Sequence, residues 1–264
     1  MIRFVYQKSK ISLNEVKIMN HTEHLSGRFL SAFNEIESHL RTLYGQNSYI
    51  GFVDILDEAA RKSFGIRSHR NELKAFALLR NAIVHNPFRR NIDPIAEPHR
   101  EIVEEIERIL IDITKPKTAY EAISVKISGI FSIGGNSNVH EIMKTMRKMK
   151  YSYVPIIENG SVIGVFSENT IFSYLIDNEI FMVEKDMRIS NFGEYLLLNA
   201  NDNEKFLFIS KKESVYDSIQ KFQQDSLDEK RIGAMFITEN GKQTESLLGL
   251  ITPWDIVKFA AILK

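Results

Sequence analysis

The second half of the chain carries the same pattern twice. Each copy begins with a helical stretch, continues through two apolar strands joined by a Glu-Asn-Gly turn, and ends in another helix. The copies start at Val139 and Val215, and their turns are 158–160 and 239–241. An Asn-Gly pair between apolar strands predicts a β-hairpin. Such a repeat strongly constrains the fold, because both copies must form one kind of supersecondary unit.

Each copy also closes its second strand with a related motif. The later copy reads Gly249-Leu250-Ile251-Thr252-Pro253-Trp254-Asp255-Ile256, and the earlier one reads Gly164-Val165-Phe166-Ser167-Glu168-Asn169-Thr170-Ile171. The pattern of Gly, two apolar residues, Thr or Ser, two residues and Asp resembles the end of a CBS domain. The resemblance implies a tandem CBS pair, or Bateman module, with its repeats at 119–190 and 191–264.

The resemblance to CBS pairs also implies a ligand. That family most often binds adenine nucleotides, so we expect AMP, ADP or ATP as a regulatory ligand. By position, the nucleotide-binding residues of the second repeat would be Ser210, Ala234, Thr252 and Asp255. In the first repeat, Val154 and Ser167 would bind the nucleotide, and the other two matching positions are Gly134 and Thr170.

The two repeats differ where a ribose would bind. A carboxylate such as that of Asp255 accepts two hydroxyl groups and gains from a helix N-terminus, whereas Thr170 offers no charge. We therefore expect at most one strong site, in the second repeat. The alternative is that Asp255 only caps the helix that begins at Trp254.

The first half of the chain reads as amphipathic helices. Apolar residues at helical spacing predict helices over 22–44, 49–63, 68–85 and about 99–114, which suits a compact bundle. The third of these helices has apolar residues on two faces, which predicts burial nearly all round, in the bundle or against a partner chain. Residues 1–20 form an extension in which Ile2, Phe4 and Tyr6 alternate as in a short strand.

The end of the third helix reads Leu79-Arg80-Asn81-Ala82-Ile83-Val84-His85-Asn86. Arginine, a polar residue and then histidine resemble the signature of HEPN domains, over residues 21–118. The resemblance implies a helical bundle, a homodimeric active site and metal-independent RNA cleavage, with Arg80, Asn81 and His85 as catalytic residues. Histidine can move protons near neutral pH, and arginine can hold the phosphate oxygens.

Other interpretations of the bundle stay open. Arg80 could pair in the core while His85 caps the helix end, or the bundle could serve only as a dimerisation scaffold. A further alternative is RNA binding without cleavage, because residues 61–90 hold eight basic residues against Glu72 alone.

Composition excludes several classes of site. The chain has no cysteine, which excludes disulfides and thiolate metal ligands, and it has no apolar run near the ~18 residues that span a bilayer. Basic and acidic residues number 34 each, so net charge points to neither nucleic acid nor membrane. The start of the chain lacks a signal-peptide pattern. We expect a cytoplasmic protein with no membrane association, no metal site and no catalytic cofactor.

Together these observations predict an α+β chain, with an N-terminal all-α, HEPN-like bundle followed by two α/β CBS repeats. The predicted function is an endoribonuclease gated by an adenine nucleotide, with RNA as substrate. The alternative is a non-catalytic nucleotide sensor or dimerisation protein whose bundle binds a partner or RNA.

Overall fold

The structure is a computed structural model that describes residues 24–44, 50–84, 96–180, 182–200, 203–224 and 230–262. The chain divides into a helical unit, Met1–Pro116, and an α/β unit, Lys117–Lys264. This order of helices followed by an α/β region confirms the predicted α+β class. The extension over residues 1–20 and the side chain of His85 lie outside the described residues.

The helical unit places five helices in the described ranges. They are α1 (Leu25–Tyr44), α2 (Phe52–Lys62), α3 (Phe64–Ser68), α4 (Arg70–Val84) and α5 (Arg100–Thr114). Their apolar stripes meet in one core, where Phe29, Leu56, Leu73 and Ile106 are fully buried. Phe29 packs edge-on against Phe76 with ring centroids 5.8 Å apart.

Two features of this unit differ from the predicted helices. The short α3 precedes α4, with the hydroxyl of Ser63 accepting a hydrogen bond from the Ile66 amide at its start. The helical unit alone does not bury the third helix all round, and burial against a partner chain stays a prediction. On α4, Ala75, Leu78 and Ala82 share one helix face and are all exposed, Leu78 by 73%, so one apolar face of the helix meets solvent.

The α/β unit contains both copies of the sequence repeat. The order is α6 (Ala119–Ala122), β1 (Val125–Lys126), α7 (Val139–Met149), β2 (Tyr153–Glu158), β3 (Ser161–Ser167), α8 (Glu168–Asp177), β4 (Glu204–Ser210), α9 (Val215–Gln224), β5 (Arg231–Thr238), β6 (Gly249–Ile251) and α10 (Pro253–Ile262). Short 3₁₀ segments cover Ile127–Gly129 and Ile189–Leu196. No helix in the described ranges is long and apolar enough to cross a membrane.

The two repeats have the same strand arrangement. In the second, β4 runs parallel to β5 and β5 pairs antiparallel with β6. In the first, Ile133 bridges Ile156 of β2 in parallel, and β2 pairs antiparallel with β3. The strand β1 joins the outer edge of β6, so the four-stranded sheet has the order β1-β6-β5-β4. The sequence repeat therefore corresponds to a structural repeat.

The two Asn-Gly turns fold differently. In the first repeat, Asn159 (φ 51°) and Gly160 (φ 84°) form the predicted two-residue hairpin, and Glu158 pairs with Ser161. In the second repeat, Ile237 pairs with Gly249, so the predicted hairpin forms with a longer loop.

Glu245 organises that longer loop. Its carboxylate accepts hydrogen bonds from the Asn240 amide (2.7 Å) and the Asn240 side chain (2.8 Å). These two bonds lower the pKa of Glu245 to about 2. The charged loop therefore has its own local hydrogen bonds, which compete with a tight strand-to-strand turn.

Candidate functional site

A cavity of about 1130 Å³ opens within the α/β unit. Its walls come from both repeats: β1 with the turn after it, α7, and the start of α8 on one side, and β6 with α10 on the other. This volume slightly exceeds the range of roughly 300–1,000 Å³ typical of small-molecule sites. Apolar side chains such as Phe131, Met143 and Leu250 form its inner wall.

Thr252 and Asp255 line this cavity at the start of α10. The Thr252 amide and hydroxyl both donate to Oδ2 of Asp255, at 2.8 and 2.7 Å. Oδ1 of Asp255 receives no hydrogen bond from the described residues. The capping role that the sequence offered as the alternative is therefore present at Oδ2, while the nucleotide-binding role of Asp255 stays a prediction.

The corresponding residues of the first repeat are buried. Ser167 and Thr170 are each 2% exposed. The Ser167 amide donates to Oγ1 of Thr170, and the Thr170 amide donates to Oγ of Ser167, both at 3.2 Å. This reciprocal pair forms a capping box at the start of α8. Neither residue is among those that line the cavity.

The other nucleotide-binding residues predicted from the sequence also lie away from the cavity. Val154 on β2 and Ala234 on β5 are fully buried. The Ser210 hydroxyl donates to the Glu239 carbonyl at 3.0 Å and accepts from the Lys212 amide at 3.2 Å. Of the six predicted positions, the cavity therefore brings together Thr252 and Asp255.

Basic residues that the sequence analysis did not single out also line the cavity. Lys144, Arg147 and Lys150 come from α7 and its C-terminal cap, and Lys258 comes from α10. Their spacing of three residues along the first repeat's helix was readable, since such residues share a helix face. What was not readable is that this face lies opposite Asp255.

Beside the cavity lies a polar contact between the repeats. Tyr153 of β2 lines the cavity, and its hydroxyl donates to Oε1 of Glu204 on β4 at 2.8 Å. Glu204 is 4% exposed. Burial, followed by the hydrogen bond to Glu204, raises the pKa of Tyr153 well above its usual value. The phenol therefore stays protonated and ties the two repeats together.

In the helical unit, the predicted catalytic residues are visible in part. Nη1 of Arg80 donates to Oδ1 of Asn81 at 3.3 Å near the end of α4. Nε of Arg80 is buried and finds no hydrogen-bond partner among the described residues. Since His85 lies outside those residues, its distance from Arg80 stays a prediction.

The basic segment 61–90 is partly neutralised by acidic residues of α2. Asp57 binds Nε of Arg70 at 2.7 Å and Nζ of Lys74 at 3.0 Å. These partners hold the pKa of Asp57 below its usual value. Glu58 likewise pairs with Lys62 at 2.7 Å. These ion pairs reduce the charge that this surface can offer to a polyanion.

The described residues contain no cluster of three or more histidine, aspartate or glutamate side chains arranged to hold a metal ion.

Comparisons with known proteins match the α/β unit. The family model of the CBS domain matches residues 123–177. Among solved structures, the chain is similar to a putative acetoin utilization protein (AcuB) from Vibrio cholerae, with 13% identity, a TM-score of 0.41, and coverage of 56% of this chain and 93% of that chain.

Two other similar solved structures are complexes with nucleotides. CBSX2 in complex with AMP is 11% identical, with a TM-score of 0.40 and coverage of 55% of this chain and 97% of that chain. CbpB in complex with c-di-AMP is 14% identical, with a TM-score of 0.38 and coverage of 54% and 84%. A search of curated proteins found no match. Because the family model runs from before β1 to the end of α8, residues 123–177 are a CBS domain.

Proposed function

We propose that the α/β unit senses an adenine nucleotide in the cavity that Thr252 and Asp255 line. The observation that carries this proposal is the free Oδ1 of Asp255, held at a helix start by two hydrogen bonds to Oδ2. An ionised carboxylate fixed in this way accepts ribose hydroxyls without needing to reorient. The apolar inner wall then offers a surface for the purine ring.

The proposal includes one nucleotide site, in the second repeat. Thr170 stands where the first repeat would need a carboxylate, and its hydroxyl is already committed to the Ser167 pair. Opening that pair to a ligand would break a buried capping box, which costs free energy. The first repeat instead contributes α7 to the wall of the shared cavity.

The test of the nucleotide site is Asp255→Asn. Asparagine keeps the shape but loses the charge, so we expect affinity for ADP to fall about tenfold to a hundredfold, the effect of one charge-assisted hydrogen bond. Isothermal titration calorimetry on the full chain measures it.

Asp217→Asn is the matched control. Asp217 accepts a hydrogen bond from the Ser214 hydroxyl at 2.8 Å at the start of α9, and it does not line the cavity. We expect that variant to bind ADP as the parent does. Equal losses in both variants, or unchanged binding in Asp255→Asn, would refute the assignment.

We further propose that the helical unit is a homodimeric, metal-independent endoribonuclease that this nucleotide regulates. Arg80 supports this, since its Nε is buried without a partner in the described residues and Nη1 reaches Asn81. An arginine that only paired in the core would have a carboxylate beside it. The exposed face of Ala75, Leu78 and Ala82 on the same helix provides apolar surface for a second copy.

The chemistry assigned to this site needs no metal. The ribose 2′-hydroxyl of the RNA attacks the adjacent phosphate, and the 5′-oxygen of the next nucleotide leaves. His85 would take or return the proton, and Arg80 would hold the phosphate oxygens as charge develops on them. Asn81 would orient the arginine through the contact at Nη1.

The test is RNA cleavage by the purified chain in the presence of a metal chelator. We expect Arg80→Ala and His85→Ala each to lower the cleavage rate by about 10²–10⁴-fold, as loss of a proton-transfer or charge-stabilising group does. Arg67→Ala is the control, because Arg67 is an exposed cation of the same segment that stacks on Phe64. Undiminished cleavage in both variants would leave the non-catalytic sensor as the better interpretation.

A further inference from the structure

Three basic residues of the cavity have no ion-pair partner within the described part of the chain. They are Arg147, Lys150 and Lys258, which we call the basic rim. The fourth basic residue, Lys144, is already paired with Glu141 at 3.0 Å. The cavity also holds the carboxylates of Glu168 and Asp255, and the preceding proposal assigns Asp255 to the ribose. The rim therefore leaves positive charge beyond what a nucleoside alone would use.

The basic rim comes from two helices, one in each repeat. Lys258 lies three residues after Asp255 on α10, so the two side chains are neighbours on one helix face. Arg147 and Lys150 stand on the opposite wall, at the C-terminal end of α7. At 1.5 Å per residue, they are offset by about 4.5 Å along that helix. Cations spread over two walls suit several linked phosphates better than one.

Lys150 adds an independent observation. It caps the end of α7 in the left-handed conformation, with φ 60° and ψ 39°. Glycine or asparagine normally occupies this position, because a Cβ there costs free energy. A lysine in this conformation, with its side chain at the cavity, is the pattern expected when a binding role offsets local strain.

We propose that the cavity selects a nucleoside di- or triphosphate, with the phosphate chain bound by the basic rim. This inference rests on the proposed nucleotide site and specifies its ligand class. The second repeat would hold the sugar, and the helix of the first repeat would hold the terminal phosphates. Binding would therefore require both repeats at once.

The helix dipole is the competing explanation for these cations. Basic residues near a helix C-terminus are stabilised by the dipole whether or not a ligand binds. Lys148 separates the two explanations, since it occupies the last turn of α7 beside Arg147 but does not line the cavity. A dipole effect would act on Lys148 and Arg147 alike, whereas a phosphate effect would act on Arg147 alone.

The experiment is calorimetric titration of the full chain, without added metal, with adenosine, AMP, ADP, ATP and inorganic tripolyphosphate. We expect affinity to rise with each added phosphate. Arg147→Gln and Lys150→Gln should each weaken ATP binding about tenfold and leave adenosine binding unchanged. Lys148→Gln should bind ATP as the parent does. Equal affinities for adenosine and ATP, or equal losses in Lys148→Gln and Arg147→Gln, would overturn the inference.

A second variant addresses the strain at Lys150. Glycine fits the left-handed conformation, so Lys150→Gly should raise the thermal unfolding temperature while weakening ATP binding. A lower unfolding temperature, or undiminished ATP affinity, would contradict the binding role of Lys150.

The ligand series also separates this inference from the proposed function. Adenosine binding that depends on Asp255 but gains nothing from phosphates would overturn the phosphate inference alone. Tripolyphosphate binding that depends on Arg147, with no binding of any adenosine compound, would overturn adenine sensing and leave an anion site. If none of the five compounds binds, both proposals are wrong.

Discussion

His69 is a buried titratable residue at the corner between α3 and α4, with 7% of its surface exposed. Its Nε2 lies 3.6 Å from Oδ2 of Asp112, too far for a hydrogen bond, and has no partner among the described residues. Burial lowers the pKa of His69. Asp112, Glu72 and Glu105 oppose this effect, while Arg108 adds to it. The imidazole is therefore held neutral in the folded helical unit.

This arrangement makes the stability of the helical unit depend on pH. A histidine whose folded pKa lies below its unfolded value, about 6.5, contributes its full stability above that value. As pH falls below about 6.5, the unfolded state takes up the proton first, so the free energy of unfolding declines. We expect this decline between about pH 7 and pH 5, and we expect His69→Gln to reduce it.

Hydrogen exchange of peptides from α3, α4 and α5 measures the effect within the helical unit alone. His99→Gln is the control, since His99 is exposed at the N-cap of α5 and makes no side-chain capping hydrogen bond. The interpretation would be wrong if the two variants had the same pH profile, or if protection in the parent rose as pH fell.

At the scale of elements, Gly164 and Gly249 explain why both repeat motifs begin with glycine. A Cβ on Gly164 would collide with the carbonyl oxygen of Leu196, and a Cβ on Gly249 would lie 3.2 Å from the carbonyl of Val125. In each repeat, backbone from outside the hairpin crosses over the start of the motif. The motif was readable from the sequence, but its reason was not, because the crossing segment lies far away in the chain.

Elements with one strong local signal were predicted well from the sequence. The Asn159-Gly160 turn closes as a tight hairpin, because both residues adopt the positive φ that such a turn needs. Asn240-Gly241 has the same letters, but Glu245 captures Asn240 and a longer loop forms. The spacing of the sequence already contains this difference, because Val162 follows Gly160 by two residues whereas Leu248 follows Gly241 by seven.

The exposed face of α4 shows a second property that could not be predicted from the sequence pattern, namely which apolar faces are covered. Apolar residues on two faces predict a buried helix, yet Leu78 is largely exposed. Sequence periodicity reports how apolar a face is, and it does not report how many neighbours are present to cover it. A single chain covers the face that includes Leu73 and Phe76. The other face is where our proposal places a second copy.

At the scale of the whole molecule, the sequence repeat allowed the fold of the α/β unit to be predicted. It did not allow all residues that line the cavity to be predicted. Thr252 and Asp255 were found because a motif contains them. The basic rim was missed because its members belong to no motif and converge only through packing of the two repeats. A repeat predicts each unit in isolation, whereas a site built between units depends on how they pack.

The connection between the two units is short, and we expect nucleotide binding in one unit to be coupled to RNA binding in the other. Four residues, 115–118, separate α5 from α6, and the Lys117 carbonyl accepts a hydrogen bond from the Val215 amide at 3.0 Å. The end of this connection is therefore anchored within the second repeat. If the nucleotide regulates RNA cleavage by changing how tightly RNA binds, ligand binding in one unit changes affinity in the other.

Thermodynamic linkage requires the two ligands to affect each other's affinity equally. If ATP changes the affinity for RNA by some factor, RNA must change the affinity for ATP by the same factor, typically about 5- to 150-fold. We expect this equality in titrations with 2′-O-methyl RNA, which binds but cannot attack its own phosphate. Asp255→Asn should abolish the effect of ATP on RNA affinity at ATP concentrations that saturate only the parent, and Asp217→Asn should preserve it. RNA affinity that saturating ATP leaves unchanged would mean that the two sites are not coupled through binding.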